Sequence, residues 1–179
     1  MKLKTVQAII KQSRSIGLVN GPDEQWITDG AAAYPLRGLP EMKLSNLQSF
    51  FDMTDKQWDK VSAKHFKLPL CLDDSCDEDE ETEFVPIDIT WYGSTFKPIM
   101  CEGVCHYVKS TYLKPFSDEA LYFIRKNDRG ECCIAVREGF FLVGLIMPVQ
   151  MQQLYVDDVK KMIEATVPEE PKGKDGEPV

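Results

Sequence analysis

The sequence predicts an α+β fold: antiparallel sheets with packed helices in a single domain, followed by a C-terminal helix. Three observations predict it. Residues 84–147 break into short apolar runs separated by turn residues, the pattern of hairpin strands. Residues 4–16 and 150–166 carry apolar residues at helical spacing. The chain has 179 residues with 43% apolar and 28% charged, an ordinary globular balance that supports one core and is marginal for two. The domain is expected over 1–150, with an acidic loop at 71–83 between its halves, a helix at 151–167 and a disordered tail at 168–179.

The elements follow in order. KTVQAIIKQSRSI at 4–16 places Val6, Ile9 and Ile10 on one face, continued by Ser13 and Ile16. Lys4, Gln7, Lys11 and Arg14 follow another side as a short basic stripe. A solvated face is its ordinary role. Its functional role would be contact with nucleic-acid phosphates, which makes Lys4, Lys11 and Arg14 the DNA-contact candidates. Residues 25–35 read as strand, tight turn at Asp29-Gly30, and strand. Ser45-x-x-Gln48 and Thr54-x-x-Gln57 have the form of capping boxes, the second strengthened by Met53 and Trp58 at staple positions.

Beyond the acidic run, strands are expected at 84–91, 96–101 and 104–108. Residues 109–116 hold one helical turn, cut short by Pro115. Three strands close the domain at 120–125, 132–136 and 140–147, joined by Asn127-Asp-Arg-Gly130 and Glu138-Gly139. The last belongs to GFFLVGLIMPVQM at 139–151, the most apolar run in the chain. It is too short to span a bilayer, and Arg137 and Glu138 stand just before it. It reads as a sheet strand with Pro148 at its exit, where a missing N–H is tolerable. The expected C-terminal helix aligns Met151, Leu154, Tyr155, Val159 and Met162 on one face.

Charge is partitioned. The formal net charge is −8, and residues 73–83 hold eight acids and no base, so the rest of the chain balances. Like charges repel and bury little apolar surface, which predicts an exposed, mobile loop. Asp73, Asp74, Asp77, Glu78, Asp79, Glu80, Glu81 and Glu83 are the partner-binding candidates. Such a surface mimics the phosphate charge of DNA or docks on a basic protein groove. The N-terminus MKLKTVQAIIKQ lacks the apolar stretch of a signal peptide, and no segment is long enough to cross a membrane. The expectation is a cytoplasmic protein with its six cysteines reduced.

Candidate chemistry is sparse. Cys71-x4-Cys76 and Cys101-x3-Cys105-His106 invite zinc, but neither spacing is a common zinc pattern. Cys101 and Cys105 flank a tight turn and are expected to face each other; Cys132 and Cys133, adjacent in a strand, point to opposite faces. Buried thiols acting as small hydrophobes fit most of these cysteines best, and no metal or cofactor is expected. Cys105-His106 makes a poor nucleophile pair because strand neighbours point apart. Asp73, Ser75, Asp77 and Asp79 alternate like a calcium loop but lack its glycine and flanking helices. Pro22-Asp23 and Glu41-Met42-Lys43 have the order PD…ExK of magnesium nucleases, whose two acids hold the metal and whose lysine stabilises developing charge. Glu41, however, sits between Leu39-Pro40 and a helix start rather than on a strand. No catalytic residue is assigned, and the protein is expected not to be an enzyme.

Two resemblances add to this reading. YVKSTYL at 107–113, ALYFI at 120–124, CIAV at 133–136 and LIMPV at 145–149 together resemble the closing half of a bacterial sliding-clamp subunit. The helix at 4–16 and the strands around Trp26 and Tyr34 resemble the other half. That resemblance implies a DNA-clamp-like fold with Lys4, Lys11 and Arg14 on a DNA-facing helix. QWITDGAAAYPL at 25–36, GLP at 38–40, YLKP at 112–115 and AVREGFFLV at 135–143 look like a family of small proteins of Firmicutes phages and mobile elements, one that overlaps anti-CRISPR proteins. That resemblance implies a non-enzymatic inhibitor of a type II Cas9 nuclease, with DNA as a second contact, in the cytoplasm of a bacterial host cell. A phage replication or recombination accessory and a magnesium-dependent nuclease stay open as alternatives.

Overall fold

A computed structural model describes residues 1–67, 71–77, 79–101, 103–127 and 130–149. The chain divides into two units, Met1–Val149 and Gln150–Val179, and the described elements all lie in the first. The helix expected at 151–167 and the tail at 168–179 fall outside the described residues.

The architecture is α+β, with strands dominating. Helix α1 (Leu3–Lys11) buries Val6, Ile9 and Ile10, the stripe expected from the sequence. It ends earlier than predicted, and strand β1 (Ser15–Asn20) takes over. The Ser13 hydroxyl competes for the backbone here: Ser13 Oγ donates to the Ser15 carbonyl at 2.8 Å and accepts from its N–H at 3.2 Å. Ile16, which fits the helical period, is instead the first buried residue of a strand covered on both faces.

A hairpin of β2 (Gln25–Thr28) and β3 (Ala32–Pro35) follows. Its turn is held by Asp29, whose Oδ1 accepts from the Ala31 and Ala32 N–H groups at 2.9 Å each. Helices α2 (Leu44–Phe50) and α3 (Asp55–Trp58) come next. The Thr54–Gln57 box forms, with the Thr54 N–H donating to Gln57 Oε1 at 2.9 Å. The Ser45–Gln48 box does not: α2 begins one residue before Ser45, and Gln48 Nε2 reaches Asp55 instead.

Strand β4 (Ser62–His65) pairs parallel with β1 and was not predicted. The remaining strands are β5 (Glu80–Thr82), β6 (Ile89–Trp91), β7 (Ser94–Cys101), β8 (Val104–Lys109), β9 (Leu121–Lys126), β10 (Cys132–Glu138) and β11 (Phe141–Ile146). A 3-10 helix, Ser110–Leu113, separates β8 from β9.

Eight strands form one sheet in the order β4-β1-β2-β3-β11-β10-β9-β5, and β6-β7-β8 form a second. The first-half hairpin and the last three strands are continuous through β3 and β11, where Ala33 pairs Leu145 and Ala32 pairs Ile146. The most apolar run of the sequence is therefore a central strand, buried from Leu142 to Ile146. Alternation along the strands separates two cores. Ile16, Leu18, Ile124, Ile134 and Val136 pack with α1, α2 and the small sheet's Ile99 and Val108. Val19, Trp26, Cys133, Ala135, Leu142 and Leu145 form a thinner core on the other face, with Phe66, Leu72 and Phe123 against it.

Candidate functional site: an acidic segment clamped to the sheet

The acidic run is not the free loop its composition predicts. Its second half includes β5, an edge strand paired with β9 through Glu80–Ile124, Glu81–Phe123 and Thr82–Tyr122. Its first half lies over the outer face of the sheet because of one residue. Arg125 of β9 points to that face and is 1% exposed. Its Nε and Nη2 donate to the two carboxylate oxygens of Asp79 at 2.8 and 2.7 Å. Its Nη1 donates to the carbonyls of Cys71 and Asp73 at 2.8 and 3.0 Å. Planar fork geometry lets one guanidinium hold a carboxylate and two backbone carbonyls at once. Arg137 adds a second cation on Asp79 and stacks over the Phe123 ring at 4.2 Å.

Asp79 is thus an internal counter-ion, only 3% exposed, and leaves the set of partner-binding candidates. Burial by itself pushes its carboxyl up. The hydrogen bonds and charge of Arg125, the Cys76 N–H and the Arg137 charge outweigh burial, and the group titrates below the ordinary carboxylate value. Asp74 is also engaged. Its Oδ1 accepts from the Leu142 N–H at 2.8 Å and from Arg37 at 3.3 Å. Asp73, Asp77, Glu80, Glu81 and Glu83 remain exposed. Glu78 lies outside the described residues. Repulsion among these acids did not melt the segment because buried Arg125 and half-buried Arg137 supply the positive charge that the sequence nearby lacks.

Next to this segment stands an exposed aromatic turn. Phe140, at the β10–β11 hairpin, is 91% exposed, and Phe141 is 55% exposed. Arg37 lies over the Phe141 ring at 4.6 Å and bridges to Glu24 at 2.6 Å and to Asp74. The hairpin and the acidic segment therefore adjoin.

The basic candidates are only partly brought together. Lys4 and Lys11 are exposed, and their separation of two helical turns puts them on one side of α1. Arg14 is exposed too but lies beyond the helix, in the connection to β1, where its carbonyl accepts the Ser62 N–H at 2.9 Å. Asp23 and Glu41 of the PD…ExK string do line one cleft of about 430 Å³, with Glu24, Gln25 and Leu36. Lys43 is not among its lining residues. These acids do not form a three-donor cluster among the described residues.

The thiols are arranged differently from expectation. In the β7–β8 register Cys101 pairs Val104 and Met100 pairs Cys105, so Cys101 and Cys105 point to opposite faces. Cys101 instead shares its face with His106 and meets Cys132 of β10 across the sheet interface. One ligand atom from each of the three lies within 4.8 Å of the others. Cys132 and Cys133 do point to opposite faces, the latter into the thinner core, where burial pushes its thiol up to about 12. Burial lowers the His106 pKa and favours the neutral imidazole.

Arg125, Arg137, the exposed Phe140 and the Cys101–His106–Cys132 grouping were not singled out from the sequence. An Arg in a β strand followed across a turn by another was the one available signal for a buried counter-charge. No protein-family model, curated protein or solved structure matches this chain.

Proposed function

We propose that this is a non-enzymatic binding protein whose acidic face docks on a basic protein surface, and that its target is a host nuclease of the Cas9 type. The observation that carries the reading is the Arg125 clamp. It holds a segment rich in exposed acids against a sheet, so the negative surface is ordered before any partner arrives. Order set in advance lowers the entropy cost of association. Fixed negative charge steers encounter with a positive groove and suppresses wrong partners. Phe140 and Phe141 beside it supply what a charged patch alone lacks, an aromatic anchor of the kind that dominates interface energetics. A groove that binds nucleic acid is a large basic surface of the kind such a face would fit. The resemblance of residues 25–36 and 135–143 to phage and mobile-element proteins points to a nuclease that attacks such elements, which would be met in the cytoplasm.

The test is DNA cleavage by several Cas9 types with the intact protein, with Asp73, Asp77, Glu80, Glu81 and Glu83 changed to amides, and with Phe140→Ala. Inhibition by the intact chain that weakens in both variants is expected. Absence of inhibition across the nucleases, or full inhibition by the amide variant, would sink the reading.

A second reading draws on Lys4 and Lys11, exposed together on α1. It makes the protein a phage replication or recombination accessory that contacts DNA. It requires DNA binding that weakens with salt and with Lys4→Ala/Lys11→Ala. No retardation of duplex DNA at low salt would remove it.

A further inference from the structure

The grouping of Cys101, His106 and Cys132 is built by long-range structure. Cys101 is the last residue of β7 and His106 lies two residues into β8; the register sets them diagonally on the face that packs toward the large sheet. Cys132 opens β10 in the large sheet and faces them from the other side of the interface. Cys101 is buried, while His106 and Cys132 are half-buried. The cluster thus sits at the rim of the interface, where an ion can enter and a further coordination position can be filled from solvent. Cys105 and Cys133 point away from it.

What distinguishes this cluster from thiols acting as packing is an imidazole within reach of both sulfurs, at a sulfur spacing that an ion also fits. The Cys101 and Cys132 sulfurs are 3.7 Å apart. A disulfide needs about 2.0 Å. A tetrahedral zinc with bonds of about 2.3 Å to each thiolate sets its two sulfurs about 3.8 Å apart. An imidazole within 4.8 Å of both completes three of the four positions with little movement. Two soft sulfurs and one imidazole select zinc over magnesium or calcium, which take oxygen donors.

We propose that Cys101, His106 and Cys132 form a zinc site that fastens the three-stranded sheet to the eight-stranded sheet. On binding, each thiol gives up its proton to solvent and donates a sulfur lone pair to the metal, with no change of oxidation state. His106 donates through a neutral ring nitrogen. The ion binds the folded arrangement, in which both sheets are present, and so raises its stability.

The test uses the full chain, reduced and stripped of metal by a chelator. Zinc uptake should saturate at one ion per chain. Cobalt in its place should give thiolate charge-transfer absorption in the near ultraviolet and the visible bands of a tetrahedral site. Cys132→Ser and Cys101→Ser should each abolish the charge-transfer band, and His106→Gln should weaken metal binding by at least about tenfold. Cys105→Ser and the double variant Cys71→Ser/Cys76→Ser should bind as the unaltered chain does. Zinc should raise the unfolding temperature of the unaltered chain and leave that of Cys132→Ser where it was. Far-ultraviolet dichroism of each variant separates loss of the site from loss of the fold, and half-buried Cys132 is the least disruptive position. Failure of the reduced chain to take up zinc or cobalt, or uptake unchanged in a folded Cys132→Ser, overturns the proposal. So does uptake abolished in the folded Cys71→Ser/Cys76→Ser variant.

Discussion

At the scale of residues, Arg125 and Asp79 decide whether the acidic segment has a structure. Both are nearly inaccessible: removing Asp79 strands the Arg125 charge in a dry site, and removing Arg125 leaves Asp79 with Arg137 alone. Breaking such a pair costs about 3–5 kcal/mol, whereas replacing both partners by apolar groups is often neutral. Arg125→Met should therefore lower the free energy of unfolding in urea titration by up to that amount, less what Arg137 still supplies to Asp79. Arg125→Met/Asp79→Leu should recover a large part of the loss, with the two carbonyls of Cys71 and Asp73 left to water or unsatisfied. The pair also fixes a pH dependence. The Asp79 carboxyl is held below its ordinary value in the folded chain and returns to about 3.9 on unfolding. A depressed carboxyl contributes stability that is complete above the unfolded value and is lost as pH falls through the folded one. The stability difference between the unaltered chain and Asp79→Asn should be flat above about pH 5 and shrink below about pH 4. A difference that grows on acidification would contradict the arrangement.

At the scale of elements, two glycines show how strands admit neighbouring rings. A Cβ on Gly144 of β11 would lie 2.4 Å from the Phe116 ring, and one on Gly17 of β1 would lie 1.9 Å from the Phe66 ring. The Gly17 contact is closer, yet the two sites should not rank by distance. Phe116 is buried at 4% exposure in the main core, so its ring has nowhere to go. Phe66 is half-buried under the Lys64 ammonium and can swing outward. Gly144→Ala should cost about 1–3 kcal/mol, the range for overpacking a core, and Gly17→Ala less. Thermal unfolding of the two variants side by side decides it; a larger loss at Gly17 would show that Phe66 is held more tightly than its exposure implies.

The same scale explains which elements could be read from sequence. The strands β9, β10 and β11 announce themselves because apolar runs end at Asn127–Gly130 and Gly139, residues that turns require. The Thr54–Gln57 cap was legible because both of its partners lie within one turn. Strand β4 was not, because Ser62–His65 is largely exposed and exists through parallel pairing with β1, far away in sequence. Strand β5 was hidden for a related reason. Its residues are charged, and its partner β9 begins some forty positions later. The thiol cluster required the register of one sheet and the packing of another. Adjacency in sequence suggested Cys105 for Cys101, and strand parity chose His106.

At the scale of the whole molecule, the uneven charge was plain in the sequence, but its arrangement was not. The Arg125–Asp79 contact joins positions 46 residues apart, and no local pattern encodes it. That contact separates two contributions to docking that are otherwise confounded. Converting Asp73, Asp77, Glu80, Glu81 and Glu83 to amides removes five of the charges behind the net −8 and leaves the clamp intact. Arg125→Met keeps those acids and releases the segment. Long-range attraction sets the rate of encounter, whereas fit and prior order set the lifetime of a complex. For a Cas9-type partner measured by surface-based kinetics, the amide variant should associate more slowly and lose most of the salt dependence of association. The Arg125→Met variant, held well below its lower unfolding temperature, should associate at nearly the unaltered rate and dissociate faster. The amide variant should also unfold no earlier than the unaltered chain, because removing like charges relieves self-repulsion. Equal dissociation rates for Arg125→Met and the unaltered chain would mean that the clamp serves the fold alone and that the segment acts only through its charge.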